Sequence, residues 1–316
     1  MKHHLYGYIL AFILTISTQI MHAQFIHVDN VERQITGLLT DTVSLQSVPD
    51  KQKSHFETGI SYQSNDVYLG RKDSSVLPYF IPVLSYYFAS GIYFSVSANY
   101  LSDPEARRVD AITLEGGYIF HAGNYDGQLN ISKFIYNSQS TSVSSEIKAS
   151  TGYQNGYDFG FIKAFINGSL EFGSRTDISA SFGFEHGFSA LHEKMEFTPA
   201  FCVNGGTQNF YDNYYKNKRY SNNGKGKSTG NSGSFVTGSV VNPSNFKILD
   251  YEASIPFAYH IRKMDILFTP TYAIPVNPSL IEVNTKQSNG NASTQFVTEH
   301  LTNSFFMTLG VALKFG

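Results

Sequence analysis

A two-residue alternation of apolar and polar side chains is the feature that most constrains this chain, and it recurs from position 55 to the end. In the last segment, for example, Phe305, Leu309 and Phe315 share one phase. A period of two indicates β-strands, because successive strand side chains point to opposite faces. Six clear segments and six weaker ones predict twelve strands. The clear ones are 55–64, 91–101, 112–120, 177–188, 249–259 and 305–315; the weaker ones are 78–89, 127–137, 145–155, 159–173, 195–209 and 264–277.

The length of these segments favours a membrane barrel over a soluble β-sandwich. Sandwich strands usually have about 5 to 6 residues, whereas a tilted strand that crosses a membrane needs about 9 to 11. An even number of antiparallel strands is also what a closed barrel requires. We therefore expect an all-β fold, a transmembrane antiparallel up-and-down β-barrel of about twelve strands, with about 10 to 14 possible. A soluble β-sandwich is the alternative.

Residues 1–23 read as a secretory signal peptide. Lys2 supplies a basic start, a short apolar run follows, and a polar end leads to cleavage near Ala23. An uncleaved anchor helix is the alternative. Residues 24–54 show no sustained alternation, so we interpret them as a periplasmic N-terminal extension, with the barrel spanning residues 55–316.

Composition narrows the possible functions. Charged residues make up only 15% of the chain, and the formal net charge is −2, which argues against a nucleic-acid-binding protein. Cys202 is the one cysteine, so no disulfide framework forms. The histidines are scattered singly, and the GKSTG stretch (226–230) lacks the strand-to-helix context of a nucleophile elbow. We therefore expect no enzymatic activity, no cofactor and no metal site.

Connections between the predicted strands alternate in length. Those at 89–91, 121–127, 155–158, 189–194 and 260–264 are short, whereas the segments near 206–245 and 278–300 are long and rich in Asn, Ser and Gly. Short periplasmic turns and long extracellular loops are typical of outer-membrane barrels. The first long loop carries basic and aromatic residues that suit lipopolysaccharide phosphates or an external ligand; a solvated loop is the alternative. These candidate contacts are Tyr214, Tyr215, Lys216, Lys218 and Arg219.

The signal peptide, the alternating strands and the last strand NSFFMTLGVALKFG (303–316) together resemble the outer-membrane β-barrels of Gram-negative bacteria, in particular the porin-like family. The resemblance implies an integral outer-membrane location after export through the secretory pathway. It also implies contact with outer-membrane lipid and lipopolysaccharide. In that class a C-terminal aromatic residue serves the barrel assembly machinery, and Phe315 is the matching residue here, although Gly316 follows it.

Parity assigns a mostly acidic set of side chains to the barrel interior. Acidic walls raise the local concentration of cations. The sequence therefore predicts a narrow porin-like channel for small solutes with a weak cation preference. The alternative is a closed barrel, filled by paired charges, that acts as a surface scaffold or adhesin through its loops. The inward set is Glu57, Glu115, Glu171, Glu185, Glu196, Asp250 and Glu252, with Lys163 and Lys314 as the bases.

A few residues fit the predicted strands poorly. Lys133 falls in the lipid-facing phase of its strand with Leu129 and Ile131, so we expect a bulge that turns it away from lipid. Prolines cannot donate to a strand ladder, so we interpret those inside the segments as bulges or shifted strand ends. They are Pro82, Pro199, Pro256, Pro270 and Pro275.

Overall fold

The computed structural model describes residues 53–192, 194–219, 235–286 and 291–316. The predicted signal peptide and residues 24–52 of the predicted extension lie outside these ranges. The strands are β1 His55–Gln63, β2 Tyr79–Tyr87, β3 Ile92–Leu101, β4 Arg108–Ala122, β5 Tyr125–Tyr136, β6 Ala149–Asp158, β7 Lys163–Phe172, β8 Thr176–Glu185, β9 Phe188–Ala190, β10 Met195–Phe197, β11 Ala200–Gly206, β12 Phe235–Val240, β13 Lys247–Ser254, β14 Phe257–Ile261, β15 Met264–Pro275, β16 Leu280–Lys286, β17 Ala292–Thr298 and β18 Ser304–Phe315.

Antiparallel pairing closes the sheet into a barrel. Strands β1 to β8 pair in chain order, β8 pairs with β11, and the order continues through β13, β15 and β18. Closure occurs where β18 returns to β1, with Phe315 opposite Phe56. The barrel therefore has twelve strands, which confirms the predicted fold class and strand number. Strands β9, β10 and β14 continue β8, β11 and β13 beyond short interruptions.

Prolines mark several of these interruptions. Pro199 separates β10 from β11, Pro256 separates β13 from β14, and Pro275 is the last residue of β15. Pro82 and Pro270 lie inside β2 and β15. Opposite Pro270, the strand that pairs with β15 is interrupted: β13 ends at Ser254, and β14 begins at Phe257. The interpretation as strand ends is therefore confirmed for three of the five prolines.

The outward phase of the wall is apolar and exposed, and the inward phase is mostly polar and buried. This arrangement is the reverse of a soluble protein and is expected where lipid is the solvent of the outer face. None of the helices in the described ranges is long and apolar enough to cross a membrane. Exposed outward residues include Phe56, Ile60, Leu84, Phe94, Leu114, Ile131, Ile166, Phe182, Phe268 and Leu309.

The two ends of the barrel differ. At one end, called the turn end, short connections follow β2, β4, β6, β9 and β14, and the chain terminates beside His55. Four of these turns occur at the predicted positions. The fifth comes after Asp158 rather than at 155–158, because β6 extends through that stretch. The other end, called the loop end, carries the longer connections and also the short connection 173–175 between β7 and β8.

Two predictions about strand phase are wrong. The pairing of β5 is continuous on both sides, so no bulge occurs and Lys133 faces outward with Ile131 and Ile135. It lies opposite Ala149, the first residue of β6, and so near the loop end, where its amine can reach polar headgroups. A bulge does occur between β11 and β13, where Gly205 pairs with Ile248. It turns Leu249 away from lipid, contrary to the alternation in 249–259.

The long loops contain regular structure of their own. A 3-10 helix (Val143–Glu146) precedes β6, and an α-helix, α1 (Asn209–Tyr214), continues into a π-helix (Tyr215–Arg219). Strands β12, β16 and β17 form a separate three-stranded sheet. Helix α1 begins where the carboxylate of Asp177 accepts hydrogen bonds from the backbone N–H groups of Asn209 and Phe210, both at 2.7 Å. This carboxylate replaces the missing side-chain cap at Gln208.

Candidate functional site

Two inward carboxylates, one at mid-height of the wall and one near the loop end, have only uncharged hydrogen-bond partners among the described residues. Glu115 on β4 accepts hydrogen bonds from the hydroxyls of Tyr93 (2.6 Å) and Ser132 (2.8 Å). Glu171 on β7 accepts them from Ser169 (2.9 Å) and Ser179 (3.2 Å). Within the described ranges neither carboxylate has a cationic side chain in ion-pair distance. Both carboxylates therefore lie on the inner wall without a cationic partner among the described residues.

The inward acids near the turn end are paired with bases instead. We define the basal network as His55, Glu57, Lys314, Asp265, His260 and Glu196 on one side of the lumen and His121, Asp126, Lys163 and Glu185 on the other. In the first arc, Lys314 Nζ lies 3.2 Å from Asp265 Oδ2 and 3.9 Å from Glu57 Oε1. His260 joins Asp265 (2.7 Å) to Glu196 (3.4 Å). These contacts link β1, β18, β15, β14 and β10.

The second arc is centred on Lys163. Its Nζ lies 2.7 Å from Asp126 Oδ2 and 3.4 Å from Glu185 Oε1, which links β5, β7 and β8. His121 Nδ1 on β4 lies 3.9 Å from Asp126 Oδ1. Asp126 and Glu185 therefore share one cation, and the carboxylates of this arc differ from Glu115 and Glu171 in having a lysine partner.

Two acids of the basal network, Asp126 and Asp265, were missed by the reading of the sequence. Each pairs across a hairpin with a histidine, His121 with Asp126 and His260 with Asp265. A His and an Asp five positions apart around a turn were therefore a usable signal in HAGNYD and HIRKMD. The assignment of these histidines to turns hid their inward orientation.

Asp250 and Glu252 project inward from β13 at different depths. Asp250 is fully buried directly after the bulge, and its Cβ lies against Gly70 of the loop that follows β1. Glu252 is half-buried, and it lies opposite Cys202 on β11. The predicted inward acids are thus distributed from the turn end to the loop end of the lumen and do not form one compact site.

The predicted loop-contact residues differ in how exposed their side chains are. Tyr214 is only 3% exposed, because its ring stacks on Tyr211 and its hydroxyl donates to Asp73. It therefore cannot offer its ring to an external molecule, and that prediction is wrong for Tyr214. Tyr215 is half-buried, and the exposed Lys216 pairs with Asp212 at 2.6 Å. The side chains of Lys218 and Arg219 lie outside the described part of the structure.

Phe315, the predicted assembly signal, is the last residue of β18. Its ring faces outward and is 51% exposed. Its backbone pairs with Phe56 at the junction where the barrel closes. An outward terminal aromatic residue is accessible to another protein, and its role in assembly stays a prediction.

Comparisons with known proteins return structures but no sequence families. No protein-family model matches the chain, and no curated protein matches it. Among solved structures, it is similar to the KdgM porin, with 9% identity, a TM-score of 0.41, and coverage of 82% of this chain and 99% of that one. It is also similar to an outer membrane channel from Pseudomonas putida F1, at 9% identity and a TM-score of 0.43, covering 85% and 100%. LpxR from Salmonella typhimurium has 11% identity and a TM-score of 0.36, covering 81% and 99%.

The architecture is defined by the chain's own geometry. Closed antiparallel strands, an apolar exterior and a mostly polar interior are the features of an outer-membrane β-barrel.

Proposed function

We propose that this protein is a narrow outer-membrane channel for the passive passage of small solutes, with a weak preference for cations. The observation that carries the proposal is the environment of Glu115, at mid-height of the wall, and of Glu171, near the loop end, which face the lumen and hydrogen-bond only to uncharged groups among the described residues. Fixed negative charge on the wall of a narrow, low-dielectric passage attracts cations and repels anions.

The basal network explains why the preference is weak. Asp126 and Glu185 share Lys163, and Glu57 and Asp265 share Lys314. Paired charges produce a smaller long-range field than isolated ones. A solute that moves along the lumen therefore meets carboxylates without a cationic partner near the loop end and at mid-height, and carboxylates that share a lysine at the turn end.

Recordings in a planar bilayer test this function. The refolded chain is expected to produce discrete conductance steps, with a reversal potential in a salt gradient that indicates cation preference. Glu115→Gln and Glu171→Gln together should move that potential toward zero. The matched control is Glu105→Gln, because Glu105 is an exposed acid outside the strands at the loop end. An unchanged reversal potential in the double variant would contradict the proposed role of the two carboxylates.

A closed barrel that acts as a surface scaffold or adhesin is the second candidate. Every residue of β17 is exposed, and Phe296 is 62% exposed at the edge of the small sheet at the loop end. An exposed edge strand can pair with another chain. If this is the main function, Phe296→Ser should reduce adhesion of cells that display the protein to protein-coated surfaces. The scaffold would then bind without conducting, whereas unchanged adhesion would contradict this candidate.

A further inference from the structure

The loops at the loop end share one buried apolar core. We call this core the loop roof; it consists of Tyr68, Leu69, Val143, Ile147, Phe210, Tyr211, Tyr214, Val240, Leu249 and Ile281. Its members come from the connections β1–β2, β5–β6, β11–β13 and β15–β18, and Leu249 comes from the start of β13. Loops at the surface of a barrel can bury such apolar side chains only by packing against one another.

The positions of these loops place the roof over the lumen. Around the barrel, the connections β1–β2, β5–β6 and β11–β13 are each separated by four of the twelve strands. Loops anchored a third of the circumference apart can meet in one core only across the mouth. Tyr68 of the first loop packs edge-on against Phe210 of the third, with ring centroids 4.9 Å apart. Asn217 of the third loop donates a hydrogen bond to Glu146 of the second at 2.9 Å.

Arg71 ties the roof to the rim of the barrel. Its side chain is 0% exposed. The guanidinium donates to the carbonyl of Leu249 at 3.1 Å and to those of Val276 and Asn277 at 3.2 and 3.1 Å. Its Nε lies 3.4 Å from Glu299 Oε1. One side chain therefore holds together the loop after β1, the start of β13 and both ends of the connection between β15 and β18.

A tight turn fixes Arg71 in this position. Tyr68 and Arg71 exchange backbone hydrogen bonds of 2.7 and 2.8 Å around Leu69 and Gly70. Both central residues have positive φ, 47° and 69°, as a type I′ turn requires. The turn points the chain back toward the rim, so that the guanidinium reaches a carbonyl on β13 and two carbonyls directly after β15.

We propose that the loop roof is the gate of the channel and that Arg71 is the latch that holds it shut. This inference rests on the proposed function, since only a conducting barrel needs a gate. Solutes reach the lumen from the loop end when the three loops separate. Separation breaks the bonds of Arg71, whose burial makes an unpaired guanidinium costly. The closed state is therefore favoured, and openings are brief.

Single-channel recordings of the full chain test the latch. The parent protein should show rare openings, and Arg71→Ala should raise the open probability at least tenfold. Arg71→Lys should also open more often than the parent, because a lysine ammonium cannot reproduce the planar fork that reaches three carbonyls. An open probability unchanged in both variants would overturn the latch.

A reversible cross-link tests the gate without removing Arg71. Glu146→Cys and Asn217→Cys, in a Cys202→Ser background, place thiols on two loops that contact each other across the mouth. Joining them with a short reducible bis-thiosulfonate reagent should abolish the conductance steps, and reduction should restore them. The Cys202→Ser background treated with the same reagent is the control.

The outcomes separate the gate from the channel. Cation-selective conductance that is unaffected by the cross-link would overturn the gate and leave the channel standing. Silence of every variant, including Arg71→Ala verified as folded by its heat-dependent electrophoretic mobility, would overturn both.

Discussion

Gly156 leaves the space through which Lys163 reaches across the wall to Asp126. A Cβ on Gly156 would lie 2.7 Å from Lys163 Cε. The ammonium group then lies 2.7 Å from Asp126 and 3.4 Å from Glu185. A glycine in the wall thus permits one lysine to form ion pairs with two carboxylates on different strands.

Lys163→Met should destabilise the barrel and increase its cation preference. Removing the base leaves two buried carboxylates without their cation, and breaking such a buried pair typically costs about 3 kcal/mol. Urea unfolding in lipid vesicles measures the first effect, and the reversal potential in a salt gradient measures the second. Lys194→Met is the control, because Lys194 is exposed in a turn at the same end. A reversal potential equal to that of the parent would show that Asp126 and Glu185 do not influence permeating ions.

Gly156→Ala should also destabilise the barrel and increase its cation preference, but by less than Lys163→Met. The added methyl group displaces Lys163 without removing its charge, so the ion pairs lengthen rather than disappear. A variant more stable than the parent would indicate that Lys163 accommodates the methyl group by another route.

The barrel itself could be predicted from the sequence because lipid and lumen impose opposite polarity on alternate residues. In β8, for example, Phe182 and Phe184 face lipid while Ser181 and Glu185 face inward, and each of these positions follows from parity alone. Parity fails wherever the backbone departs from a regular strand. The bulge before Asp250 reverses Leu249, and no residue in that stretch signals it.

Side-chain partners across the lumen and between loops were not predictable in the same way. Inward parity identified both Glu185 and Lys163 but not their ion pair, because the strand register decides which inward residues lie opposite each other. The packing of the loop roof could not be predicted either. Tyr68, Val143 and Phe210 are distant in sequence and become neighbours only when the barrel closes.

Lys133 and Ile131 should differ sharply in their tolerance of charge. Lys133 lies opposite the first residue of β6, near the loop end, whereas Ile131 is 69% exposed in the middle of β5. Charge on the lipid face costs about 2 to 4 kcal/mol at the bilayer midplane and about 0 to 1 near the interfaces. Ile131→Lys should therefore lower the unfolding free energy by about 2 to 4 kcal/mol, and Lys133→Leu should change it by less than about 1 kcal/mol. Equal effects in urea unfolding would place both residues at the same depth.

The stability of the loop roof should decrease as the pH rises from acid to neutral. The group responsible is Asp66, which lies in the loop after β1. Burial raises the pKa of Asp66 to about 6, opposed by a hydrogen bond from Ser142 and assisted by the carboxylates of Asp110 and Asp73. The fold thus favours the protonated form. That stabilisation is complete below the ordinary carboxyl pKa of about 3.9 and is lost as the pH rises through about 6.

Hydrogen exchange of the segment 64–78, corrected for the intrinsic pH dependence, measures this effect. Protection in the parent should decrease from pH 4 to pH 7, whereas Asp66→Asn, which stays neutral, should keep nearly constant protection. Glu105→Gln is the control for a general effect of removing one loop acid. Parallel pH profiles of the parent and Asp66→Asn would exclude Asp66 as the group responsible.

Gly70→Ala should release the loop that carries the latch. Gly70 has φ +69°, a left-handed conformation that costs a non-glycine residue about 1 to 2 kcal/mol. The added Cβ would also lie 2.7 Å from Asp250 Cβ and 2.9 Å from Pro275 Cβ, and neither atom is at the end of a flexible side chain. The loop must therefore lift from the rim, and Arg71 must leave its carbonyl partners.

Limited trypsin digestion in vesicles measures this directly, because cleavage after Arg71 requires its buried side chain to become accessible. Gly160→Ala is the matched control: Gly160 has φ +87° in a turn at the opposite end, with nothing within 4 Å of the added methyl group. We expect rapid cleavage after Arg71 in Gly70→Ala alone, and equal resistance of both variants would mean that the turn does not hold the latch in place.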